Sequence, residues 1–109
     1  MSYDVSLGTD VKGHWYNIID VGNMTSNVAG MWRLASPDTD GLAGLDGMQA
    51  ADAIDHLSKA VLRMRADPDA YIPLTPSNGW GSYEGAMQFL QDVLKACRKD
   101  PWLTISVNK

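Results

Sequence analysis

Two short segments hold most of the side chains suited to gripping a ligand. Residues 22–27 read Gly-Asn-Met-Thr-Ser-Asn, and residues 75–83 read Thr-Pro-Ser-Asn-Gly-Trp-Gly-Ser-Tyr. Both precede an apolar helical pattern. A helix start offers unpaired N–H groups and a partial positive charge, which suit a phosphate or another anion. Glycine lets the backbone approach a ligand closely and adopt positive φ. Asn23, Thr25, Ser26, Asn27, Asn78 and Ser82 are the hydrogen-bonding candidates. Trp32, Trp80 and Tyr83 offer flat walls for a base or ring, and Arg33 is the candidate charge partner for a phosphate. The set supports noncovalent recognition of a small, phosphorylated, nucleotide-like ligand. The same residues also have plainer uses, since Ser, Thr and Asn cap helices and Asn-Gly turns a chain. Trp80, flanked by glycines, is either a lid on the core or a ligand contact.

Residues that could do covalent or metal chemistry do not group. His14 and His56 stand far apart, neither in a metal-ligand spacing, and His56 reads as partly exposed beside an apolar stripe. There is no Walker loop, no Gly-x-Gly-x-x-Gly after a strand and no Ser-His-Asp set. Cys97, the only cysteine, falls on an apolar helix face and reads as a buried, inert thiol. Asp46, Asp52 and Asp55 fit service at a helix start. Trp15, Trp32 and Trp102 read as core or semi-buried residues. No catalytic residue, cofactor or metal is expected, and an enzyme working through Asp46 or His56 is the least supported class.

The elements that must position the two segments follow from hydrophobic periodicity. Tyr3, Val5 and Leu7 alternate with Asp4 and Ser6, giving a half-buried strand, and residues 14–19 are aromatic and β-branched enough for a second. Gly22-Asn23 is expected to break the pattern. A first helix starts at Thr25 or Ser26, buries Val28, Met31, Trp32 and Ala35, and ends before Pro37. Gly30 weakens it. A second helix buries Ala50, Ala53, Ile54, Leu57, Ala60, Val61 and Met64, with Pro68 just beyond. A third buries Tyr83, Ala86, Met87, Leu90, Val93, Leu94 and Cys97 and stops at Pro101. Leu103, Ile105 and Val107 alternate with polar residues in a last strand. The expected fold is α+β: a small antiparallel sheet of two N-terminal strands and the C-terminal strand, with three helices packed on it. If successive helices run antiparallel, the first and third start at the same end, and the two polar segments converge on one cleft.

Composition narrows the partners. A chain of 109 residues with 45% hydrophobic content suits one domain with one core, and a net charge of -4 argues against a nucleic-acid polymer. Residues 1–7 lack a basic, apolar leader pattern, and no apolar run approaches a membrane span of about 20 residues. The expectation is a cytoplasmic protein with no membrane partner.

The stretches NMTSNVAGMW, GLDGM, RADPDAY and PSNGWGSYEG, with YDVSL at the start, resemble a group of small proteins of tailed bacteriophages and prophages. The likeness covers nearly the whole chain. It implies a phage origin and the cytoplasm of an infected bacterium. Among small, acidic, non-enzymatic phage proteins are sponges that sequester the nucleotide signals of bacterial immunity, often as homo-oligomers. The expectation is therefore a non-catalytic binder of such a signal. The alternative is an accessory protein that binds a host protein through exposed aromatics.

Overall fold

Alternation in the first residues produces the sheet. In a computed structural model describing residues 1–109, β1 (Ser2–Val11) and β2 (His14–Thr25) form a hairpin, and β3 (Thr104–Asn108) pairs with the other side of β1. The order is β2-β1-β3, antiparallel throughout. Lys12 and Gly13 both take positive φ at the hairpin turn, the conformation that matches strand twist in two-residue loops. Tyr3, Val5 and Leu7 point into the core, whereas Asp4 stays exposed and Ser6 half-buried.

Gly22-Asn23 does not end β2, contrary to expectation. The strand continues to Thr25, and Gly22 pairs with Val5 beside a register shift. Gly22 adopts φ of 154°, and a Cβ there would lie 3.3 Å from the Phe89 ring. The glycine therefore accommodates a bulge over an aromatic side chain instead of stopping the ladder.

The outer edge of β3 is covered. Gly47 N donates to Ile105 O at 2.9 Å and Ile105 N to Met48 O at 2.8 Å. Asp46 Oδ1 accepts from Val107 N at 2.9 Å. Asp46 thus satisfies a strand edge and does not serve a helix start. Asp52 does sit in the first turn of its helix.

The helices are α1 (Ala29–Ala35), α2 (Ala50–Ala66), the single turn α3 (Pro68–Tyr71) and α4 (Tyr83–Lys99). The three anticipated helices are present, and Pro68 begins the added turn, where its missing N–H costs nothing. Thr25 caps a short 3₁₀ turn over Ser26–Val28 that leads into α1. A Cβ at Gly30 would meet nothing within 4 Å, so no packing contact demands glycine there. α2 and α4 run antiparallel: Tyr83 reaches Met64 while Arg98 reaches Ser58. Helices and sheet enclose a core cluster of 27 residues, with Trp32 at its centre between Tyr3 and Phe89 at ring separations of 5.2 and 5.7 Å. No helix is long and apolar enough to cross a membrane.

Candidate functional site

The two polar segments meet. Asn27 Nδ2 donates to Trp80 O at 3.4 Å across 53 positions of sequence. Gly81 makes the approach possible: a Cβ there would stand 2.6 Å from Val28 Cγ1 and 3.0 Å from Thr25 Cγ2, and its φ is 111°. Both the space and the backbone angle exclude an ordinary side chain. Gly79, at φ of 78°, completes the bend on the other side of Trp80.

The result is an open cleft of about 450 Å³ in which Asn23, Thr25, Asn27, Asn78 and Trp80 come together with Ser2 and Met1. Asn23 stands on β2 and donates through Nδ2 to Ser2 Oγ at 2.8 Å and to Asp4 Oδ1 at 2.6 Å. Thr25 Oγ1 accepts from Asn27 N at 3.3 Å, and Asn78 Oδ1 accepts from Trp80 N at 2.9 Å. These bonds fix the side chains yet leave Asn27 Oδ1 and Asn78 Nδ2 without an intramolecular partner. Trp80 is 70% exposed, the most exposed aromatic in the chain. It is therefore not a lid on the core.

Other expected site residues lie elsewhere. Trp32 is 1% exposed, and its Nε1–H donates to Ala86 O at 3.0 Å, so it is a core anchor and not a cleft wall. Tyr83 is also buried. Its hydroxyl donates to Met64 O, and burial pushes its phenol above the ordinary range, keeping it a neutral donor. Both went inward because a large ring on an apolar helix stripe gains more from burial than from solvent. Ser82 caps α4, accepting from Gly85 N at 3.0 Å, and is absent from the cleft lining. Ser26 donates to Met1 O at 3.1 Å and ties down the first residue. Arg33 is exposed on α1, away from the cleft, and no side-chain cation lines the cleft.

Further positions correct the reading of the tryptophans. Trp102 is 61% exposed and Trp15 41%, so neither is core. Trp15 lies across Gly8, where a Cβ would stand 2.6 Å from its ring and 2.2 Å from Tyr16 O. Its Nε1–H donates to Asn17 Oδ1 at 2.6 Å, and Asn17 Nδ2 to Asp20 Oδ1 at 3.1 Å. The outward face of the sheet thus carries a polar hollow of about 570 Å³ that shares Asn23 with the cleft. The signal was present as Asp4, Ser6 and Gly8 on one side of β1, but it required the register with β2 to place Trp15 over the glycine. Cys97 is fully buried, and desolvation raises its thiol to about 11. His56 is half-buried, as read. No group of three His, Cys, Asp or Glu side chains gathers as a metal site.

No family model, curated protein sequence or solved structure matches this chain.

Proposed function

We propose that this chain is a non-catalytic binding protein that retains a small nucleotide-type ligand in the cleft between β2 and the loop before α4. One observation carries the reading: segments about fifty residues apart are brought into contact, and the contact presents an exposed indole beside amide atoms that have no intramolecular partner. The base stacks on Trp80, and Asn27 Oδ1 and Asn78 Nδ2 read donors and acceptors on its edge. No side-chain cation lines the cleft, so recognition rests on the base more than on the phosphate. In the setting that the phage resemblance implies, the protein holds a nucleotide immune signal in the cytoplasm of the infected cell and blunts the defence it triggers.

The test is mass spectrometry of small molecules released by heat from protein incubated in lysate of phage-challenged bacteria. The expected result is an intact nucleotide, recovered with the wild-type chain and lost with Trp80→Ala and Asn27→Ala. Recovery of a hydrolysed product would sink the non-catalytic reading. A clean protein from lysates of several defence types would sink the nucleotide reading.

A second reading, direct binding of a host protein, is favoured by the hairpin arm. There Val11, Tyr16 and Ile18 are 49%, 54% and 51% exposed, apolar side chains of the kind that anchor interfaces.

A further inference from the structure

A different surface gathers charge against the trend of the whole chain. The protein carries 13 Asp and Glu against nine Lys and Arg. Yet the groove of about 410 Å³ along the seam of α2 and α4 is lined by Arg65, Lys95 and Arg98 and by no carboxylate. The molecule's one ion pair is Lys59–Asp55, at 2.9 Å. Arg65 and Arg98 form no ion pair, and Lys95, also unpaired, stands between this groove and a neighbouring hollow that holds Asp20 and Asp92. Arg98 is steadied only by a neutral hydroxyl, donating through Nη2 to Ser58 Oγ at 3.3 Å.

The order of these groups along the groove is informative. Because α2 and α4 are antiparallel, Arg98 sits at the Ser58 end and Arg65 at the other. The seven residue steps from Ser58 to Arg65 span about 10 Å of helix. Leu62 lies between the ends and is 64% exposed, over a floor that includes the buried Leu94. Cations at two ends and an apolar patch in the middle do not suit a lone phosphate, which cannot bridge the ends. They do not suit a nucleic acid either, since no aromatic lines the groove and the chain's net charge opposes the polymer. They suit an amphipathic helix whose carboxylates stand two turns apart with an apolar side chain between them, because two turns also cover about 10 Å.

We propose that the α2–α4 groove docks an acidic amphipathic helical segment of a partner protein, its carboxylates on Arg65 and on Lys95 with Arg98, and its apolar anchor on Leu62. The inference is independent of the cleft reading: it uses other residues and other chemistry.

The test is a titration of the isotopically labelled full chain with two synthetic peptides, followed by amide NMR. One is a helix of Leu, Ala and Glu with Leu in a single stripe flanked by Glu, and the other replaces every Glu by Gln. The acidic peptide is expected to shift amides of α2 and α4 around Leu62 and Arg98, and to bind more weakly as salt rises. The Gln peptide, and the Arg65→Glu/Arg98→Glu and Leu62→Ser variants, are each expected to bind roughly tenfold more weakly or worse, the loss of about 1.4 kcal/mol or more. All three substituted side chains are exposed, so the variants keep the wild-type spectrum elsewhere. No shift with the acidic peptide, or equal binding of the Gln peptide, overturns the proposal. Tighter binding of a single-stranded oligouridylate at the same residues overturns it in favour of nucleic acid. Self-association lost in Arg65→Glu/Arg98→Glu overturns it in favour of a second copy of this chain.

Discussion

The cleft at Trp80 and the groove at Leu62 lie on one small molecule and expose opposite kinds of side chain. The cleft has an exposed aromatic face and neutral amides but no side-chain cation; the groove has three cations and an apolar centre but no aromatic. The difference comes from how each is built. Backbone bends at glycines make the cleft, so short polar side chains can project from loop and strand at close range. Two seventeen-residue helices make the groove, and only long side chains such as Arg and Lys reach over its rim while their stems cover apolar surface. An aromatic face is therefore offered where the backbone is tight, and charge where helices run side by side.

The largest effect should come from the core residue that packs β1 against α4. Trp32→Ala removes the ring packed between Tyr3 and Phe89 and the bond to Ala86 O. It should cost about 3–5 kcal/mol in urea unfolding and abolish binding at both surfaces together. If one surface survives in a folded Trp32→Ala protein, the two do not share this support.

Gly81→Ala separates them. The substitution strains a positive φ and forces a Cβ against Val28 and Thr25, so a loss of about 1–3 kcal/mol is expected. Ligand capture at the cleft should fall, whereas peptide binding at the groove persists. Equal damage to both surfaces would show that the loop before α4 and the α2–α4 seam act as one unit.

A smaller effect follows from Cys97, which lies in the core on α4. Its folded thiol is raised to about 11 from an ordinary value of 9.0. A raised acid favours the protonated folded state, so its contribution is fully present below pH 9 and is lost as pH climbs through about 11. Stability at both surfaces should decline together in that window, and the thiol should resist a disulfide reagent near neutral pH until urea exposes it. A rapidly reacting native thiol would contradict the burial.

Much of this was legible in the residues. The stripes of α2 and α4, the alternation in β1 and β3, and the stop of α1 before Pro37 follow from period, capping and proline sterics, which act within a few positions. The meeting of residues 22–27 with residues 75–83 was also readable, because helix order constrains which ends lie together. Gly22-Asn23 was misleading because glycine serves a break and a bulge equally well, and only the Phe89 ring on the other side decides which. Trp32 and Tyr83 share flat rings with Trp80, and ring type alone cannot say which of them the core will take.

Residue order alone set the apolar stripes of α1, α2 and α4, the alternation of β1 and β3, the acidic balance and the two polar segments, since each depends on neighbours along the chain. The tertiary structure decided which tryptophan stays in solvent, that Asp46 holds the edge of β3, that Arg33 misses the cleft, and that Arg65 and Arg98 share a groove. Those outcomes depend on which surfaces meet, and burial is a property of the packed pair of surfaces, not of either segment alone.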